Sequence, residues 1–403
     1  MKRTWLLVAL LNLLLATCIG ALLRYAFVEE VSWLQFKNFL HAHSHVAMLG
    51  WIYMALYTLL IHTFLPKAQQ ASKAYNILFW LTQTSVFGML MSFPVQGYGA
   101  ISIAFSTVHI LLSYIFVAWF WIDMGKADTF SKKIIRTALI FMVVSTIGVW
   151  VMGPLMATKL RGSAFYYMAV QFYLHFQFNG WFLFGTLGLF FKHLEARNII
   201  LSLQHQKLFY RLLVISCLLT YALAVAWSQP YLSVFVVNSA GVLVQLLALL
   251  VFIRLVWQHR NQILQGFAGL EKILLQVAFL SFVFKIIIQA SVAVPFVAKA
   301  AYTIRNYVIG FIHLVLLGAI TSFLLSFIFN NQLISSQLLL TRIGLWSILL
   351  GFLLSEALLF LQGTLLWAAM GFMPNYYELL FSMSMLIPIG IALVLVSSFK
   401  KIV

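Results

Sequence analysis

A chain of 403 residues that is 64% apolar and 8% charged is not composed as a water-soluble globule, where about a quarter of residues carry charge. Two cysteines, Cys18 and Cys217, both within apolar runs, exclude a thiolate zinc site, a disulfide scaffold and an iron–sulfur cluster. The net charge of +17 sits in short loops between apolar spans, where it orients the chain and meets anionic lipid, so nucleic acid is not the expected partner.

Apolar runs interrupted by charged or turn residues predict twelve spans, at 4–24, 38–63, 74–93, 99–122, 137–158, 164–191, 210–227, 232–257, 273–294, 303–329, 338–361 and 378–398. The first run follows Met1-Lys2-Arg3 and continues past Cys18 to Leu23, which predicts a retained helix and not a cleaved leader. A helical bundle satisfies every backbone group in lipid. The expected fold is therefore all-α: a polytopic membrane protein of about 12 transmembrane helices, forming a single integral membrane domain over residues 1–403. With the N-terminus inside, the inner side carries 18 Lys and Arg residues and the outer loops carry 6, namely Arg24, Lys37, Lys159, Arg161, Lys299 and Arg305. By the positive-inside rule both termini are cytoplasmic, and the expected location is the cell (inner) membrane.

Ten histidines are no enrichment, so the information lies in their positions. His62, His193, His205 and His259 fall at inner span ends or inner loops, where a solvated or headgroup-facing imidazole is expected. His41, His43 and His45 open the second span, His109 lies in the fourth, His175 in the sixth and His313 in the tenth. All these spans enter from the outer face, and at ~1.5 Å per residue His45, His109, His175 and His313 reach a shared depth of about 10 to 16 Å. A lone intramembrane histidine is usually a polar group bonded to a neighbouring helix, but a common depth on four helices favours joint metal ligation. Imidazole suits iron and copper, while the carboxylates a hard cation needs are scarce. Haem is the leading candidate cofactor, one or two groups of b type, with copper as a further candidate. No C-x-x-C-H segment is present to attach haem covalently.

Spacing adds two points. In His43-Ser-His45 the two rings diverge by about 200° on a regular helix, so one helix can serve two sites on opposite faces. Three histidines share the spacing His-x4-Gly, as His45…Gly50, His175…Gly180 and His313…Gly318, which reads as internal repetition and as close helix contact. Lys285 and Glu356 are mid-span charges, each either paired or part of a proton path. Arg305 lies about 12 Å before His313, where it can meet a haem propionate or act as an interfacial anchor.

The segment His43-Ser-His45-Val-Ala-Met-Leu-Gly50-Trp51 resembles the H-x-H-x-x-x-L-G-W signature of the haem-copper oxidase catalytic subunit, particularly its C-type oxidase and nitric oxide reductase branches. It also resembles the H-A-H-E-M-L-F-G signature of the NnrS-like haem- and copper-containing membrane proteins, and His313-Leu-Val-Leu-Leu-Gly318-Ala319 is similar to that family's later H-A-L-T-V-G-A. The resemblance implies a twelve-helix core, a high-spin haem on His43 and a low-spin haem on His45. Tyr173-Leu174-His175 with Gly180-Trp181-Phe182 is loosely similar to the copper-ligand helix. Two departures stand out: the His-x-His helix is second here and tenth in the oxidases, and their adjacent His-His pair has no counterpart.

Two functions follow as expectations. One is a membrane haem redox protein of the oxidase subunit I-like superfamily, with a bis-histidine haem between His45 and His313 and a second centre on His43, His109 and His175. It would handle nitric oxide or oxygen and draw electrons from a quinol or a cytochrome, with further subunits as candidate partners alongside membrane lipid. As an enzyme it would be an oxidoreductase with an incomplete copper site. The other is a twelve-helix secondary transporter without haem, against which the single outer layer of histidines argues.

Overall fold

The computed structural model describes residues 3–399, and every regular element among them is helical. Among the described residues eleven helices are long and apolar enough to cross a membrane, which makes this a multi-pass membrane protein. In chain order the long helices are α1 (Arg3–Tyr25), α2 (Phe36–Phe64), α3 (Lys73–Gln96), α4 (Ala100–Asp123), α5 (Phe130–Ala157), α6 (164–196), α7 (Leu203–Ala226), α8 (Leu232–Gln258), α9 (Gly269–Ser291), α10 (Arg305–Asn330), α11 (Leu339–Trp367) and α12 (Tyr376–Phe399). The eleven are all of these except α6, which is long enough but carries His175, Gln177 and Asn179 in its middle.

Helix ends follow local chemistry. Ser72 and Ser163 open α3 and α6 by accepting the backbone N–H groups of Ala74 and Tyr166, and Gly97, at φ +58°, stops α3. α5 begins at Phe130, seven residues before the apolar run expected from 137. Thr129 caps it through the Lys132 N–H, and the Glu195 carboxylate accepts from Ser131 N at 2.9 Å and Ser131 Oγ at 2.7 Å. A carboxylate at a helix N-terminus favours this extension of the helix beyond its apolar core.

Three helices change winding partway. α2, α6 and α10 contain π-helical segments at Val46–Tyr53, Phe176–Phe182 and Leu314–Thr321. Such i→i+5 winding is rare and is found mostly as single turns, often at functional sites. Here each segment begins at the residue after a histidine of the His-x4-Gly motifs: His45, His175 and His313. The three helices are four apart in chain order.

The chain divides into two compact units. The first comprises Met1–Gly125, Gly269–Leu274 and Thr321–Val403; the second comprises Lys126–Ala268 and Leu275–Ile320. In the first, Trp5 stacks on Phe79 at 4.8 Å, and α11 meets α12 where Gly344 and Gly390 face each other's carbonyls. Small residues let helix backbones approach in lipid, where no hydrophobic force drives them together. Asn12 crosses from α1 to donate to Gly50 O at 2.8 Å inside the first π segment, and its amide also pairs with Gln83 at 2.8 and 3.0 Å. Trp51 Nε1 donates to Thr321 Oγ1 at 2.8 Å.

In the second unit the π segment of α6 leans on α5. A Cβ on Gly180 would lie 2.6 Å from Phe141 Cβ, and Gln177 Nε2 donates to Ser145 Oγ at 2.8 Å. Its apolar core is aromatic, with Phe252 of α8 touching Phe190, Phe191, Phe209, Phe279 and Phe282.

Candidate histidine sites

His45, His109 and His313 stand eight or nine residues after Phe36, Ala100 and Arg305, the first residues of their helices, and His175 stands eleven after residue 164. Each therefore lies about 12 to 17 Å along its own helix.

On α2 the three histidines face different ways. His43 turns to α1, where its Nδ1 is 2.7 Å from Ala16 O. A Cβ on Gly20 would lie 2.8 Å from His43 Cε1, so only a glycine there leaves room for the ring. His45 turns to α3 and the turn after it: its ring is 4.3 Å from Phe93 and 5.8 Å from Tyr98. Its Nδ1 donates to His41 O at 2.9 Å, and Tyr98 Oη is 3.4 Å from its Nε2. His41 packs edge-on against the same Tyr98 at 4.6 Å. The divergence of His43 and His45 is what a two-residue helical step requires.

His109 on α4 is 3% exposed and meets Tyr53 of α2 edge-on at 4.7 Å. It lies within electrostatic range of His45, and its Nε2 has no hydrogen-bond partner among the described residues. His175 is different. Its Nε2 donates to Cys217 O at 2.7 Å and its Nδ1 is 3.3 Å from Asn179 Nδ2, so both ring nitrogens are engaged. His313 closes the α-helical part of α10 and is half-buried, while Arg305 at the start of that helix is exposed.

The structure thus brings His41, His45 and His109 to one region of the first unit and turns His43 away from it toward α1. His175 and His313 belong to the second unit. Among the described residues no three His, Cys, Asp or Glu side chains gather as a metal-binding group.

An axial haem ligand is a neutral imidazole whose second nitrogen donates to a carbonyl, which fixes the tautomer and aims the ring. His45 and His43 meet this requirement through His41 O and Ala16 O, which puts the lone pair on Nε2; at His45 the Tyr98 hydroxyl faces that nitrogen at 3.4 Å. His109 offers a buried Nε2 with no competing partner among the described residues. His175, as placed, has no lone pair to give, so it fits a structural role at the Cys217 carbonyl better than ligation.

Several residues that shape these surroundings carry only weak signals in the sequence. Tyr98 stands between Gly97 and Gly99, in a turn whose composition marks a loop but not its contact with His45. Asn12, Gln83 and Gln177 are carboxamides inside apolar runs, a signal visible in the sequence that points to interhelical bonding. Comparison with protein-family models and with curated proteins finds no match to this chain.

Proposed function

We propose that this chain is a redox protein of the cell membrane, with both termini cytoplasmic, that binds b-type haem through imidazoles set inside its helices. The observation that carries the reading is the threefold recurrence of a π-helical segment directly after His45, His175 and His313. A π segment gives up regular α geometry and persists where a site requires it. The tautomer set at His45 by the His41 carbonyl supports it further. Bound there, haem would supply a one-electron couple and, at an open iron position, a site for nitric oxide or oxygen.

In this reading His45 and His313 are the low-spin pair. Tyr98 and Phe93 wall one side of His45. His43 and His109 are the candidates for a second haem ligand, and Arg305 for a propionate contact. Electrons would come from a quinol or a cytochrome, and the function would be gas binding or slow gas reduction by a member of the oxidase subunit I-like superfamily. The proposal centres on haem, with copper a further candidate at the second centre.

The test is a visible spectrum of the purified chain made with haem available. A Soret band with sharp low-spin α and β bands is expected, and either His45→Ala or His313→Ala should convert or abolish the low-spin signal. A colourless protein refutes haem binding, and a full low-spin spectrum in both variants refutes the ligand assignment. A colourless protein would favour the second reading, a secondary transporter. One observation supports that reading: α7 breaks at Thr220 beside a buried polar layer in the second unit.

A further inference from the structure

Two helices of the second unit face each other with stripes that are aromatic at one end and polar in the middle. On α8 the buried residues Asn238, Gln245 and Phe252 recur at every seventh position, and on α9 Phe282, Lys285 and Gln289 share one buried face. Phe252 meets Phe282 at 5.6 Å and Phe279 at 6.2 Å, while Ser239 Oγ donates to Ala293 O at 3.4 Å. The helices therefore run antiparallel, in a register that sets Gln245 opposite the turn from Lys285 to Gln289. α7 completes the layer. Phe209 stacks on Phe252 at 5.2 Å, and a Cβ on Gly241 would lie 2.9 Å from Thr220 N, which brings Cys217 level with Gln245. His175 donates to the Cys217 carbonyl from α6, and Lys285 lies within electrostatic range of both residues.

The polar atoms of this layer are unmatched. Lys285 is 2% exposed, Gln245 3%, Gln289 5% and Asn238 0%. Lys285 Nζ, Gln245 Oε1, Gln289 Oε1 and both amide atoms of Asn238 have no hydrogen-bond partner among the described residues. Water could satisfy the amides, but an ammonium buried without a counter-charge is among the costliest arrangements in a fold. The sequence of this unit offers two carboxylates, Asp128 and Glu195, and both are at helix ends. Asp128 faces Arg136 at 3.8 Å, and Glu195 is held by Ser131 and Lys192.

We propose that this layer is a binding site for a small monovalent oxyanion of carboxylate type, with Lys285 as its counter-charge and the carboxamides of Gln245 and Gln289 as its hydrogen-bonding partners. A carboxamide turns either its N–H or its oxygen toward a ligand, so it serves a carboxylate oxygen or the O–H of the protonated acid alike. Three ammonium protons and two amides suit a ligand with two oxygens on one carbon, and the facing Phe252 and Phe282 close the layer on one side. The inference rests on the second unit alone and does not depend on haem.

Equilibrium dialysis of radiolabelled formate against the full chain in lipid nanodiscs, at constant ionic strength set with chloride, tests it. Saturable binding is expected at a single site, lost in Lys285→Met and retained in Lys285→Arg. Gln245→Leu should weaken it about tenfold, the worth of one charge-assisted hydrogen bond. Lys285→Met should fold at least as well as the wild type, because it removes an unpaired buried charge. Should it fail to fold, the Gln245→Leu, Gln289→Leu double variant serves instead. Absence of saturable formate binding in the wild type, or wild-type affinity in either Lys285→Met or the double variant, overturns the proposal.

Discussion

Polar side chains inside apolar helices are tolerated when a neighbour answers them, and Asn12 shows how much one of them holds. Its amide serves the Gly50 carbonyl in a stretch where π winding disturbs the regular ladder, and it also pairs with Gln83. Asn12→Leu would leave the buried Gly50 carbonyl and the half-buried Gln83 amide unanswered, at a cost of about 1–3 kcal/mol for the buried group and less for the other. Gly50→Ala acts at the same contact from the other side: its Cβ would lie 2.9 Å from Val86 Cγ1 and 3.1 Å from Asn12 Cβ. Overpacking of this kind costs about 1–3 kcal/mol. Both variants should lower the thermal unfolding midpoint of the purified protein, and they should be less than additive because they disturb one contact. A midpoint unchanged in Asn12→Leu would mean the amide is satisfied by lipid-side water and not by the helix contact.

At the level of the element, the π segments decide which way each helix points below its histidine. Extra winding rotates everything downstream, so Trp51 reaches Thr321 only because the segment Val46–Tyr53 is wound as it is. Deleting Leu49 should return that stretch to α geometry and turn Trp51 off its partner. Trp51→Phe removes the bond alone and leaves Thr321 Oγ1 orphaned, at about 1–3 kcal/mol. The deletion should therefore destabilise well beyond Trp51→Phe when the two are compared by thermal unfolding, and it should disturb any spectrum that depends on His45. Equal effects would show that the π winding is incidental to the packing.

For the whole molecule the sharpest prediction is orientation. The 18-to-6 distribution of Lys and Arg predicts both termini in the cytoplasm, with Lys132 facing inward and Arg161 outward. Cys217 is buried and Cys18 exposed, so a Cys18→Ser background makes engineered thiols readable. In cells, Arg161→Cys should react with a membrane-impermeant maleimide, and Lys132→Cys should react only after permeabilisation. The reverse pattern would invert the topology and with it the outer-half depth assigned to the histidines.

The span boundaries were legible without coordinates because lipid imposes a simple demand, a long apolar helix per crossing. Eleven of the expected spans have a helix long and apolar enough to cross. The sixth departs in apolarity because His175, Gln177 and Asn179 interrupt it, and those same residues belong to or adjoin its π segment. The His-x4-Gly spacing was readable as a repeat, but its π winding was not, since no local propensity separates i→i+5 from i→i+4 bonding. Nor could the fate of each imidazole be read, because a ring's partners come from other helices: Ala16 for His43, Tyr98 for His45, Cys217 for His175. The unmatched layer around Lys285 depended in the same way on the antiparallel register of α8 and α9, which Phe252 and Phe282 set through contacts about thirty residues apart in the chain. Apolarity along the chain determined where its long helices run. Tertiary packing decided which polar group meets which, because hydrogen bonds between helices depend on rotation and register, and both are fixed only by neighbours.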